Sequence, residues 1–142
     1  MPTRTARTAW NGSLEKGSGQ VELSSSKVGT FDVSYPRRTA DEAGGVTSPE
    51  ELIAAAHSSC FSMALSSEIG KAGGTTGSLE VTADVTLSGG AITKIALTVR
   101  GEVTGLDADG FEKAAQAAKV GCPVSKALAS VDEITLDAAL VS

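Results

Sequence analysis

Two cysteines, Cys60 and Cys122, are the residues of this chain best suited to covalent chemistry. A thiol acts as a nucleophile only as the thiolate, which needs a cation or hydrogen-bond donors beside it. Otherwise free cysteine packs as a small hydrophobe, and periodicity alone assigns Cys60 to packing. Cys122 stands in Gly121-Cys-Pro-Val-Ser125, between a helix stop and a helix restart, where the positive end of a helix can lower a thiol's pKa. Packing at a buried junction is its bland alternative.

The cations available to a thiolate are Arg37 and Arg38, adjacent in a glycine-bearing stretch. An arginine folded over a cysteine would hold the thiolate and hydrogen-bond a peroxide oxygen, although two solvated loop cations read the same way. Glu50 can orient an arginine through a fork-like ion pair, because Glu51 is taken by a capping box with Ser48. On an ideal helix Glu50 is about 15 Å and Ser48 about 18 Å from Cys60, so activation must come from another element or another subunit. His57 shares a helix face with Cys60, but a lone histidine on an apolar face reads as a core residue. One histidine and two cysteines fall short of a four-ligand zinc site and no CxxC occurs, so no metal or bound cofactor is expected.

The element that positions Cys60 is a helix over Thr47–Leu65. Ser48 caps it, Pro49 suits the first helical position, and apolar residues then run nearly all round it. Such a helix is enclosed by protein. Lys71-Ala-Gly-Gly74 ends it. Before it, alternation in Ala6–Trp10, Val21–Leu23 and Phe31–Tyr35 predicts a small antiparallel meander, and Pro36–Val46 reads as a loop. After it, Val81–Leu87 and Ile95–Val99 flank the turn Gly89-Gly90. Leu106–Val120 and Pro123–Leu128 read as helices, and Ile134–Leu140 as a last strand. The order predicts an α+β fold with antiparallel sheets, in a single domain spanning residues 1–142.

Net charge of −5 over 142 residues argues against nucleic acid or an anionic membrane surface as partner. No apolar run reaches membrane-spanning length, and the first residues lack a hydrophobic signal segment, so a reducing cytoplasm is the expected location. Cysteines there are free or transiently paired. One cysteine in mid-helix and one at a distant junction, with no others, is what a peroxidatic and resolving couple requires; spacing does not say whether they meet.

Ser48-Pro-Glu-Glu-Leu-Ile-Ala-Ala-Ala-His-Ser-Ser-Cys-Phe-Ser-Met-Ala-Leu65 resembles the signature helix of the OsmC/Ohr family of thiol peroxidases. Lys119-Val-Gly-Cys-Pro-Val-Ser-Lys-Ala-Leu128 is similar to its second signature, and Ala91–Leu97 and Glu133–Asp137 also fit. His57 and the Gly-Cys-Pro-Val-Ser wording favour the OsmC branch. The resemblance covers nearly the whole chain. It implies an intertwined homodimer whose central helices are buried, reducing organic hydroperoxides, and hydrogen peroxide less well. It makes Cys60 the peroxidatic nucleophile, Cys122 the resolving thiol and Glu50 the partner of a catalytic arginine. Arg37 fits that arginine if Pro36 replaces the family's threonine, whereas a one-residue shift would select Arg38. An external dithiol, lipoyl-type rather than thioredoxin, is the reductant it favours. Two rivals remain: a binding module whose apolar helix lines a pocket for a hydrophobic ligand, and a structural stress protein, both with inert cysteines.

Overall fold

The computed structural model describes residues 1–141, in two compact units, Met1–Leu52 and Ile53–Ser142. The first holds the expected meander: β1 (Arg7–Asn11), β2 (Ser18–Glu22) and β3 (Thr30–Val33), antiparallel in that order. Gly19 lies opposite Trp10, whose ring occupies the space a side chain at Gly19 would need. The stretch after β3 is not all loop. Ser34 accepts a hydrogen bond from the Arg37 amide and Pro36 sits in the first turn, starting a short helix α1 (Tyr35–Thr39). Its single turn has no apolar period, so the loop reading missed it. The chain then returns to the sheet, where the Thr47 amide donates to the Asp32 carbonyl.

Helix α2 (Pro49–Lys71) begins as expected, with the Glu51 amide donating to Ser48 Oγ. The Glu51 carboxylate accepts from the Thr47 hydroxyl, which completes the cap one residue further out than a capping box predicts. Within the second unit, His57, Phe61, Leu65 and Ile69 form a fully buried stripe at four-residue spacing. The other side is small and open, with Ala55, Ala56 and Ser59 exposed and Met63 74% exposed. A single chain therefore covers one side of the helix; complete enclosure, expected from its composition, is not met within it.

Phe61, Leu65 and Ile69 pack into one core with β4 (Thr75–Ser88), β5 (Ala91–Thr104), α3 (Ala108–Gly121) and β6 (Glu133–Leu140). The hairpin β4–β5 turns at Gly89 and Gly90, both at positive φ, the conformation a two-residue hairpin loop demands. Ile95, Leu97, Val99 and Val103 point inward, and Gly101 leaves room for the Phe111 ring. Strand β6 runs parallel to β5, not antiparallel as expected of the sheets. The connection holding α3 and α4 (Pro123–Ala127) is long enough to carry the chain back along the sheet, which a parallel pair requires. The architecture is α+β.

Truncating Leu65 to alanine leaves a cavity against this core and should lower unfolding free energy by about 3 kcal/mol. Urea denaturation of Leu65→Ala checks this; a loss under about 1 kcal/mol would place Leu65 outside a rigid core.

Candidate active site

Cys122 is both the last cap of α3 and the first of α4. Pro123 forbids a continuous helix and pushes its predecessor towards extended geometry, here φ −59°, ψ 125°. The Cys122 amide still donates to the Ala118 carbonyl, and its own carbonyl accepts from the Lys126 amide. Both peptide groups are thus fixed, and the side chain leaves the helix line. Cys122 Sγ lies 2.8 Å from Cys60 Sγ. Sixty-two positions separate them in sequence. Cys122 is wholly buried, whereas Cys60 is partly exposed.

At this distance the two thiols are hydrogen-bonded to one another. Burial pushes the Cys60 thiol up, and its hydrogen bond to Cys122 adds to that, against a smaller pull from the Val124 amide. Burial works against Cys122 ionising too. It is outweighed by the Cys60 thiol, the Ser125 amide and hydroxyl and the Val124 amide, so Cys122 moves down. These groups act on the sulfur by proximity, since no strict capping hydrogen bond closes on the Cys122 side chain. Among the described residues of α2, none supplies a donor or a cation to the Cys60 sulfur.

His57 Nε2 and Ser125 Oγ are 2.7 Å apart, both side chains buried. Nδ1 of His57 has no hydrogen-bond partner among the described residues. Burial lowers the His57 pKa, keeping the ring neutral. The sequence reading left this pair unnoticed. Ser125 lies 68 positions from His57, and no local pattern links the two.

In the first unit, Glu50 is 7% exposed and takes a two-pronged ion pair: Arg38 Nε to Oε1 at 3.0 Å and a terminal nitrogen to Oε2 at 2.9 Å. The hydrogen bond to Glu50 raises the Arg38 pKa. Glu50 sits in the first turn of α2, where the helix dipole favours an anion. The arginine expected there was Arg37. Consecutive residues on a helix point about 100° apart, so only one of the two can face Glu50. Arg37 instead lies across Gly44, whose positive φ and missing side chain admit the guanidinium. Arg38 also lines a cavity of about 450 Å³ whose walls include Trp10, Leu14, Val21, Tyr35 and Leu52. Among the described residues no three potential ligands gather to hold a metal, and no helix is long and apolar enough to cross a membrane.

A neutral buried histidine has a stability consequence. As pH falls through the ordinary value of 6.5, the unfolded chain takes a proton that folded His57 refuses. The His57 contribution is present above pH 6.5 and is lost as pH falls towards the lower folded value. Urea unfolding at pH 7.5, 6.5 and 5.5 should show the stability advantage of the unsubstituted protein over His57→Gln shrinking with acidification. A pH-independent difference would contradict a depressed His57 pKa.

The family model described as OsmC-like protein matches residues 42–137. The chain is 47% identical over 137 residues to Peroxiredoxin OsmC of Escherichia coli K12, covering 94% of this chain and 93% of that one. Among solved structures it resembles the organic hydroperoxide resistance protein OhrB of Bacillus subtilis, with a TM-score of 0.73 and 25% identity over 95% of this chain and 98% of that one. An OsmC organic hydroperoxide resistance protein of Legionella pneumophila shares the fold, with a TM-score of 0.69 and 24% identity over 95% and 96% of the two chains. With its two cysteines in contact and near-half identity along almost its whole length, the chain belongs to the OsmC family of cysteine-based peroxidases.

Proposed function

We propose that the protein reduces organic hydroperoxides, and hydrogen peroxide less well, through Cys60 as peroxidatic and Cys122 as resolving cysteine. The observation that carries this reading is the 2.8 Å contact between a partly exposed sulfur and a wholly buried one. Peroxide can reach Cys60; Cys122 can reach only what happens there. The Cys60 thiolate attacks the distal peroxide oxygen, the O–O bond breaks, and a sulfenic acid and an alkoxide form. The alkoxide takes a proton and leaves as the alcohol. Cys122 then displaces hydroxide from the sulfenic acid to give the disulfide and, with a proton, water.

We assign the arginine role to Arg38 rather than Arg37, because Arg38 is the one that Glu50 holds in a fixed orientation. The apolar walls of the cavity that Arg38 lines suit an alkyl chain better than a water-like peroxide, which supports the substrate class carried in the name of the Bacillus subtilis relative. That cavity is also the feature a hydrophobic-ligand carrier would need, but a carrier needs no paired sulfurs. We further propose that both units act as one domain and that two copies form a homodimer over the small, open side of α2. A dithiol of lipoyl type re-reduces the disulfide, in the cytoplasm under oxidative stress. No metal or bound cofactor takes part.

One equivalent of an alkyl hydroperoxide should remove two thiols and yield a Cys60–Cys122 disulfide, read by alkylation and mass; unchanged thiols would sink the proposal. Cys60→Ser should abolish turnover, and Cys122→Ser should stop at a sulfenic acid after one turnover. Arg38→Ala should lower kcat/KM by about a hundredfold, and Arg37→Ala by no more than about twofold. The reverse ranking of the two arginines would return the role to Arg37.

A further inference from the structure

The buried stripe of α2 contains one polar side chain. Phe61, Leu65 and Ile69 continue it with apolar groups, whereas the wholly buried His57 ring gives up its hydration for a single hydrogen bond. Its partner is Ser125 Oγ, 2.7 Å from Nε2, and Nδ1 has no partner among the described residues. His57 stands three residues before Cys60 on α2, and Ser125 three residues after Cys122, the cap of α4. The same two elements are therefore joined twice, sulfur to sulfur at 2.8 Å and ring to hydroxyl at 2.7 Å. About one helical turn separates the two contacts on each element. Resting on the roles proposed above for the two cysteines, we infer that His57 and Ser125 are positioning residues for the resolving step, holding α4 so that Cys122 stays against Cys60.

A single contact is a pivot, and a second one a turn away removes rotation about it. The backbone at Cys122 needs the second. Helix α3 is seated in the core by Phe111, Ala114, Ala115 and Ala118, but Pro123 ends its line at the cysteine. Beyond the break α4 is five residues long, and the Lys126 amide closes its first turn onto the Cys122 carbonyl. Leu128 packs against the core past the far end of α4. The near end, which carries the cysteine, is held to α2 through Ser125. Among the described residues no other side-chain hydrogen bond joins a residue of α4 to α2. Burial disfavours the charged form of His57, so the tie is a neutral hydrogen bond with no counter-charge to satisfy.

The tie acts unequally on the two redox forms. In the resolving step the Cys122 sulfur forms the S–S bond as the S–O bond of the Cys60 sulfenic acid breaks, and the released hydroxide takes a proton to become water. With the tie removed, α4 of the reduced protein can shift and relieve the polar group left without its partner. In the disulfide form the S–S bond holds α4 where it was, and the orphaned group stays buried. Losing the tie therefore costs the disulfide more than the dithiol, and the pair becomes harder to oxidise. A hydrogen bond that only stabilised the fold would cost both forms alike and leave the equilibrium between them unchanged.

Equilibration of the full chain with glutathione and glutathione disulfide measures that equilibrium without peroxide. The two protein thiols give up two electrons and two protons, and one glutathione disulfide becomes two glutathiones. Ser125→Ala should lower the equilibrium constant for the Cys60–Cys122 disulfide about tenfold, the scale of leaving a buried polar group without its partner. For a two-electron couple that raises the reduction potential by about 30 mV. Ser125→Thr, which keeps the hydroxyl, should return the constant to within about twofold of the unsubstituted value. His57→Leu should match Ser125→Ala, and the double variant should fall no further than either single one, as for two residues acting through one contact. After rapid mixing with an alkyl hydroperoxide and quenching with an alkylating agent, Ser125→Ala should form the disulfide about tenfold more slowly, with Cys60 oxidation changed by less than about twofold. An unchanged potential in Ser125→Ala, additive losses in the double variant, or no rescue by Ser125→Thr would overturn the inference. Should His57→Leu not fold, the serine variants decide it. If no sulfenic acid forms at Cys60 in the unsubstituted protein, the proposed cysteine roles fail, while the glutathione equilibrium still tests the tie.

Discussion

The contact between Cys60 and Cys122 is the constraint around which the second unit is arranged. Two sulfurs from distant parts of the chain stay within reach only if both backbones are rigid. On α2 this is achieved by the buried stripe of His57, Phe61, Leu65 and Ile69, anchored against β5 and α3. Each large apolar side chain in that stripe contributes roughly 1.5–3 kcal/mol on burial. At Cys122 rigidity comes from sequence chemistry: Pro123 breaks the helix, while hydrogen bonds on both sides hold the break in place. The buried His57–Ser125 hydrogen bond ties α2 to α4 beside the sulfurs.

Burial that makes the pair rigid also makes it a poor acid. Water is excluded from Cys122 and Cys60 is only partly exposed, so a thiolate at either gains from donors or a cation beside it. Donors gather at Cys122, through the first-turn amides and the Ser125 hydroxyl, and leave Cys60 with a thiol pushed up by desolvation. A cysteine-based peroxidase with this arrangement requires a cation whose charge does not come from α2. In the first unit Glu50, nearly buried, engages two nitrogens of the Arg38 guanidinium at once and fixes that charge in one orientation.

Much of this was legible before any coordinates. Ser48, Pro49 and the apolar run mark α2, and Gly121-Cys-Pro marks the break that frees Cys122, because caps and prolines act through the backbone of their immediate neighbours. The two cysteine motifs carried the family. Glu50 was separated from Glu51 on capping grounds, and it does take a different partner. The one-turn α1 was missed because a single turn has no period to detect. The direction of β6 was missed because alternation describes a strand's faces and says nothing of its orientation.

What the sequence determined by itself was therefore local: where elements start and stop, which residues can ionise or attack, and which family they resemble. Only the tertiary structure decided which of these residues meet. Arg38 rather than Arg37 pairs with Glu50 because the phase of a five-residue helix points one of them there and lays the other over Gly44. His57 stops being an anonymous core residue because Ser125, 68 positions away, ends beside it. Contacts of that kind depend on how α2 and α4 pack, and a neighbourhood in sequence carries no record of it.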